Sequence, residues 1–346
     1  MSNPGSRVLL LHCFDAYAGA QRIGAAIVTQ LRARGVDVDV KLGFGTRGFL
    51  SDLPGVSADI GSNHIPTRKL IYPLWSLAAL IPVAWSAARG RTIWINAVYA
   101  LLPALLATML FPHRTVIHLH EAAFPRIFHD ILKLAAWRGA TIVCVSKDQA
   151  SRVGVEALVL PNPVPIPAVD TPSRRNRLLF IGTTQAIKGF SLFIEVCERL
   201  PDIDCEVTAY LSDEDRCDTA LVARARQAGI GVIFGERSPD AMYADGFLVL
   251  VCTDPALWTE TFSLVAAEAV AHLVPVAGPG ISVLPEVVGE ALAFDEPDRD
   301  PARIAADIVS LREAPERHAA LRRACAARRP HLSTTAFTHR LLALLS

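Results

Sequence analysis

Two glutamates bracket a stretch in which nearly every other residue is small or apolar: "ETFSLVAAEAVAHLVPVAG", residues 260–278. Glutamate is seldom fully buried unless something pairs with it. Glu260 and Glu268 therefore read as a catalytic carboxylate pair, as two jaws of a ligand clamp, or as two solvated helix residues. If 261–271 is helical, the two lie ~12 Å apart along the axis. Paired glycosidase carboxylates lie ~5–9.5 Å apart, so a hydrolase pair in one continuous helix fits poorly. Two contacts at different points on an elongated ligand fit better. Glu260 then stands at the helix start, where the amides of Thr261, Phe262, Ser263 and Leu264 face phosphate oxygens. Glu268, two turns on, accepts hydrogen bonds from paired hydroxyls such as those of a ribose. The bland alternative, a helix-start glutamate and an incidental one, is disfavoured by the apolar surround.

Three further segments place reactive side chains where a strand ends. In "FDAYAGAQR" (14–22) small residues separate a strand from a helix, and Gly19 is the point where a phosphate approaches the helix N-terminus; a tight turn without a ligand explains it equally well. "IGTTQAIKGF" (181–190) repeats that logic with Thr183 and with Lys188 near a helix start. Its glycines, Gly182 and Gly189, are seven apart and Phe190 follows, so it is not a P-loop. The bland reading is a surface lysine beside a turn. In "HLHEAAF" (118–124) His118, His120 and Glu121 close a strand, and the two histidines share one side of it. Nothing else converges on them from sequence to make a metal site. A histidine facing a phosphate or a reacting sugar reads better, and one bonded to backbone is the ordinary alternative. Four D-x-D strings, Asp37/Asp39, Asp202/Asp204, Asp213/Asp215 and Asp298/Asp300, read as structural.

The elements that must position these residues alternate. Strand-like runs at 7–14, 36–44, 92–96, 114–120 and 141–146 are separated by helical stretches such as 20–35. Near-continuous apolar strands in β-α-β order imply a parallel sheet covered on both faces. Five prolines in 160–176 mark a linker, and the alternation restarts with 177–182, a helix at 190–200, 205–211, a helix at 222–229, 231–235, 247–253 and 274–278. The expectation is two doubly wound domains, 1–165 and 166–330, facing each other across a cleft at the carboxyl ends of their strands, with 331–346 packing back on the first. A chain of 346 residues is long enough for two cores.

Composition removes several classes. Lys plus Arg equals Asp plus Glu, 34 each, which argues against a nucleic-acid partner. The seven cysteines form no C-x-x-C pair and read as buried thiols of a reducing compartment, not as disulfides or zinc ligands. The start, "MSNPGSRVLLLHCFD", reads as a first strand, not a signal peptide. Residues 70–88, "LIYPLWSLAALIPVAWSAA", carry no charge between flanking Arg68, Lys69, Arg89 and Arg91. With Pro73 and Pro82 inside, the segment reads as a buried or membrane-surface helix rather than a span.

Taken in order, the motifs resemble the retaining glycosyltransferases of the GT-B fold, family 4 (group 1). "AYAGAQRIGAAI" resembles the family's G-G-A-E-R stretch, with departures at Ala18 and Gln21. "HLHE" is similar to its strand-end histidine, and "CVSKDQASRV" with "VLPNPV" to its signature at the end of the first domain. "LLFIGTTQAIKG" resembles G-R-x-x-x-x-K-G, and "ETFSLVAAE" with "LPEVVG" resembles the E-x7-E block and its downstream P-E-V/I. The resemblance covers most of the chain. It implies a metal-independent transfer, with no cofactor, from a nucleotide-sugar donor, UDP- or GDP-linked, to a glycan, lipid-linked or small hydroxylated acceptor. It also implies roles. Gly19 lies under the diphosphate, His120 faces the donor sugar, and Lys188 stabilises the leaving diphosphate. Glu260 touches sugar hydroxyls, with the Phe262, Ser263 and Leu264 amides at its phosphate end. Glu268 binds the ribose, and the base stacks near Phe234 and Gly235. The family's arginine is Thr183 here and a motif glycine is Ser263, so Arg237 or another arginine must substitute, the phosphate grip is weaker, or activity is lost. Rival readings are a non-catalytic nucleotide-sugar or glycan-binding subunit and a GT-B sugar-nucleotide epimerase. The expected location is cytoplasmic, reversibly attached to an anionic inner membrane surface.

Overall fold

A computed structural model describes residues 7–62, 65–168, 176–201, 204–212, 214–235, 237–278 and 280–345, without the side chains of 65–69. Asp202 and Asp213, residues 169–175 of the expected linker, and the Arg68 and Lys69 side chains lie outside the described residues. The chain divides into Met1–Pro163 with Thr335–Ser346, and Val164–Thr334.

The first unit runs β1 (Arg7–Phe14), α1 (Gly19–Arg32), β2 (Asp37–Phe44), β3 (Ala58–Ile60), α2 (Ile65–Ala88), β4 (Thr92–Asn96), α3 (Leu105–Leu110), β5 (Thr115–Leu119), α4 (Arg126–Trp137), β6 (Thr141–Cys144), α5 (Lys147–Val153) and β7 (Leu158–Val159). Its seven strands are all parallel in the order β3-β2-β1-β4-β5-β6-β7. The order reverses between β1 and β4, the position where such sheets open a crevice at their carboxyl ends. Six consecutive residues of β1, Val8–Cys13, are buried, as a strand covered on both faces requires. On one face Leu9, Leu11, Ile93, Ile95 and Ile117 form a core with Trp75, Ala79 and Val83 of α2. Helix α1 buries Ile23, Ile27, Val28 and Leu31, one stripe at helical spacing.

The second unit runs β8 (Arg177–Gly182), α6 (Phe190–Cys197), β9 (Glu206–Leu211), α7 (Thr219–Gln227), β10 (Gly231–Phe234), α8 (Pro239–Tyr243), β11 (Gly246–Leu250), α9 (Leu264–Ala271), β12 (Val276–Ala277), α10 (Leu284–Val288), α11 (Pro301–Glu313) and α12 (Pro315–Leu332). Five parallel strands in the order β10-β9-β8-β11-β12 put the same reversal between β8 and β11. Leu178, Phe180, Phe190, Phe193, Leu248 and Ile304 lie in its core. The last helix, α13 (Thr334–Ala343), is grouped with the first unit; its Thr338 hydroxyl donates to Gln30 Oε1 at 3.0 Å.

Five of the described D-x-D residues, Asp37, Asp39, Asp204, Asp298 and Asp300, have structural partners. Asp37 and Asp39 pair with Arg91 at 3.1 and 2.7 Å. Asp204 pairs with Arg312 and Asp298 with Arg303, and Asp300 caps α11. All seven cysteines are free thiols, five of them buried.

Candidate functional site

In the first unit the reactive residues gather where the strand order reverses. Asn96, fully buried at the end of β4, links three segments. Its Oδ1 accepts from His120 Nε2 at 2.9 Å, its Nδ2 donates to Ala20 O at 2.9 Å, and its backbone O accepts from His12 Nδ1 at 2.5 Å. His120 and Ala20, the residue after Gly19 at the start of α1, are thus held together through an asparagine that sequence did not single out. Gly19 is exposed and opens α1; Ala18 precedes it without a side-chain cap, so the first amides of the helix point outward. Asp15, 1 % exposed, ties this turn to the following loop by accepting from Ala16 N, Leu50 N and Ser51 N.

His118 does not face a crevice. It is fully buried, and neither ring nitrogen has a hydrogen-bond partner among the described residues. Its ring lies 4.3 Å from that of His120 and edge-on to Trp94. Alternation along β5 put both histidines on one side, but only His120, one residue past the strand, reaches the surface. Burial pushes His118 down to about 3. Burial also holds His120 well below its ordinary value, helped by the neighbouring His118 and His12. His120 is accordingly a neutral imidazole that donates through Nε2 to Asn96. Glu121 is held by backbone amides: its carboxylate accepts from Val98 N at 3.1 Å and His120 N at 3.2 Å, and burial raises its pKa.

In the second unit the loops after β8 and β11 are stitched together. Asp254 N donates to Ile187 O at 3.0 Å, and Gly189 (φ +68°) packs so tightly on the Cys252 carbonyl that a β-carbon would collide with it. This brings Lys188 Nζ to 2.8 Å from Glu260 Oε1, which also accepts from Thr253 Oγ1 at 2.9 Å. The lysine side chain stays 35 % exposed while the glutamate is 11 % exposed, so the ammonium can reach a ligand with its other N–H donors.

Helix α9 begins at Leu264, not at 261: Ser263 is its N-cap, and its hydroxyl accepts from Ala266 N. Glu260 therefore sits in an extended approach to the helix, and the Thr261 and Phe262 amides are not part of its first turn. The serine explains the shift, because a side-chain oxygen at the cap competes for the first free amides. Phe262 is buried and Leu264 is the first helical residue. Glu268, 5 % exposed, has its Oε2 3.2 Å from the Tyr243 hydroxyl, which divides its proton between that oxygen and Val265 O. Phe234 ends β10 half-buried, and Gly235 follows it with φ +85°.

Thr183 accepts from Gln185 N at 3.3 Å and shapes the turn where a cation was expected. Arg237 is exposed. Another arginine is bound beside Lys188 and Glu260: Arg299 (φ +56°) donates to Thr253 O at 2.9 Å and Cys252 O at 3.1 Å. Neither Thr253 nor Arg299 carries a motif, and the chain separation between them hides their contact from sequence. Among the described residues no three side chains of His, Cys, Asp or Glu gather as a metal site.

No protein-family profile matches the chain, and neither does any curated protein. Solved structures do. Sucrose-phosphate synthase of Thermosynechococcus elongatus is 15 % identical, with 97 % of each chain covered and a TM-score of 0.74. A glycosyltransferase of Rickettsia africae is 13 % identical, with 99 % of this chain and 98 % of that one covered and a TM-score of 0.75. Anabaena HepE, solved with UDP-glucose, is 15 % identical over 98 % and 99 %, with a TM-score of 0.69. At such identities the likeness bears on architecture, and it establishes that this chain has the α/β GT-B fold, two parallel sheets dressed, among the described residues, with thirteen helices.

Proposed function

We propose that this protein is a retaining, metal-independent glycosyltransferase of family 4 type, using a UDP- or GDP-sugar and passing the sugar to a glycan, a lipid-linked saccharide or a small hydroxylated acceptor. The observation that carries the reading is the Lys188–Glu260–Thr253 constellation at the strand-order reversal of the second sheet. A cation and a hydrogen-bonded carboxylate stand together there, as a phosphate next to sugar hydroxyls requires. Among the similar solved structures one is described as a glycosyltransferase and another holds UDP-glucose, which supports the same reading.

In this reading Lys188 takes up negative charge on the departing diphosphate, an interaction made mainly in the transition state. Glu260 holds sugar hydroxyls, with the Phe262, Ser263 and Leu264 segment at the phosphate end. Glu268 accepts from ribose hydroxyls, and Phe234 and Gly235 flank the base. In the first unit Gly19 admits the diphosphate to the α1 N-terminus, and neutral His120 faces the donor sugar. The acceptor hydroxyl attacks the anomeric carbon on the face from which the phosphate leaves. The new C–O bond forms as the bond to phosphate breaks, and the hydroxyl proton passes to the departing phosphate oxygen. No paired carboxylates are then needed. The working location is the cytoplasm, at the inner membrane face.

The test is incubation with a panel of nucleoside-diphosphate sugars, following free nucleoside diphosphate. Slow release is expected for one donor, abolished in Glu260→Ala and lowered about 100-fold in Lys188→Ala. Donor binding without turnover against any acceptor would instead favour a non-catalytic binding subunit, a reading that Thr183 supports because it puts a hydroxyl where a cation was expected. Conversion of the donor without nucleotide release would indicate an epimerase.

A further inference from the structure

Helix α2 divides its apolar residues between two uses. Trp75, Ala79, Val83 and Ala87 point into the first unit's core and are at most 7 % exposed. Leu70, Leu74, Leu77, Ile81 and Trp85 point outward and are 63–77 % exposed. At 3.6 residues per turn the outward five fall within an arc of about 80°. No charged residue interrupts 70–88. Helix α3, packed on α2, adds Leu110 at 59 % exposure. Single exposed leucines are ordinary, but a contiguous row of large apolar side chains marks an interaction surface.

Cations collect at the C-terminal end of the row from three places in the chain. Arg7 Nη2 donates to Arg89 O at 3.0 Å, the Arg89 guanidinium lies 5.8 Å from the Trp85 ring centroid, and Arg114 Nη1 comes close to Gly90. Arg7, Arg89 and Arg91 line one surface depression with Pro82, Trp85 and Ser86. Arg91 is neutralised by Asp37 and Asp39; Arg7, Arg89 and Arg114 pair with no carboxylate among the described residues. One arginine would be accounted for by the helix dipole. Three, drawn from β1, from just after α2 and from just before β5, are not.

We propose that this face of α2 is a membrane-docking surface: the helix lies in the plane of an anionic bilayer, with its leucine row among the acyl chains and Arg7, Arg89 and Arg114 at the phosphates. Leu70–Ala88 is long and apolar enough to cross a membrane. Crossing would tear Trp75, Ala79, Val83 and Ala87 out of the core they help to form, so the helix stays on the surface. A second copy of the chain covering the row is disfavoured by charge, because 70–88 carries no carboxylate and cations flank it in sequence at both ends, Arg68 and Lys69 before and Arg89 and Arg91 after. A phosphate-rich surface complements them, and a tryptophan between apolar row and basic end is the residue expected at headgroup depth. The inference stands on the first unit's surface alone and does not depend on the transferase reading.

The full chain is floated with vesicles of phosphatidylcholine, with and without phosphatidylglycerol, at low and high salt, with no donor or acceptor present. Binding is expected to the phosphatidylglycerol vesicles and to weaken with salt. Leu77→Glu/Ile81→Glu should lose at least about tenfold in partition. Arg7→Ala/Arg89→Ala should lose about tenfold for anionic vesicles, with little change in the weak binding to neutral ones. All these positions are exposed, so circular dichroism and thermal melting should match the parent. A Trp85→Phe variant should lose the blue shift in tryptophan emission that vesicles induce in the parent. Three results would overturn the proposal: no partition at any composition, binding that only detergent reverses, or a dimer in solution that Leu77→Glu/Ile81→Glu dissolves. Because turnover is not read, failure here leaves the transferase assignment untouched, and an inactive protein that binds vesicles leaves this one standing.

Discussion

His118 and its neighbours give the first unit a measurable pH dependence. His118 is fully buried and its pKa falls to about 3 from an ordinary 6.5; burial lowers His12 and His120 as well. Between these values the unfolded chain binds a proton that the folded chain refuses. Stability is therefore full above the ordinary value and declines as pH falls through about 6.5, levelling only below about 3. For His118 alone the loss between about pH 7.5 and about pH 5 is about 2 kcal/mol. Urea unfolding at the two pH values should show a larger loss in the parent than in His118→Leu, by about that amount; equal losses would sink the idea. The same residues mark what could be read from sequence at this scale. Lys188, Glu260, His120 and Gly19 announced themselves because charge, imidazole or glycine at a strand end is unusual. Asn96, Thr253, Tyr243 and Arg299 did not. Their partners, respectively His120, Glu260, Glu268 and the Thr253 carbonyl, are brought to them by sheet pairing or by loops that meet only after folding.

At the scale of elements, strands were the most legible. The bounds of β1, β4 and β8 match the sequence expectation to the residue, because long apolar runs bounded by polar turns leave little choice. Strands β3 and β7, of three and two residues, are too short to carry a period and went unnoticed. The start of α9 was expected three residues early, since the cap at Ser263 is decided by one local hydrogen bond. The turn at Gly189 shows how much rests on such local geometry. With φ +68° it needs a residue tolerant of the left-handed region, and the Cys252 carbonyl occupies the space of a side chain. Gly154 has φ +74° and nothing within 4 Å, so it isolates the conformational part. Gly154→Ala should cost about 1 kcal/mol and Gly189→Ala about 2 kcal/mol or more, read from denaturation midpoints. Gly189→Ala should also displace Lys188 from Glu260 and slow nucleotide release. Equal costs for the two substitutions would mean that the close approach to Cys252 carries no weight.

Across the whole molecule, two parallel sheets were legible because the alternation of strand and helix stops at a run of prolines and then begins again. The chain's return was legible only as an amphipathic last stretch. Its consequence is that the first unit is built from both ends of the sequence, Met1–Pro163 and Thr335–Ser346, whereas Val164–Thr334 is continuous. Phe337, Thr338 and Leu341 of α13 are at most 1 % exposed, and Thr338 bonds Gln30 on α1. Removing residues 335–346 would expose the surface that Phe337 and Leu341 cover, worth about 4 kcal/mol by burial alone. The second unit keeps its own core of Leu178, Phe180, Phe193, Leu248 and Ile304, none of which lies in the deleted segment. The truncated chain should therefore lose amide protection selectively. Peptide-resolved hydrogen exchange is expected to accelerate across β1, α1 and β2, while peptides from β8, β9 and β11 exchange as in the full chain. The continuous unit, with Lys188, Glu260 and Glu268 all inside it, should still bind a nucleoside diphosphate after the truncation. Uniform acceleration in both units would show that they unfold as one, and protection unchanged throughout would show that α13 contributes nothing to the first.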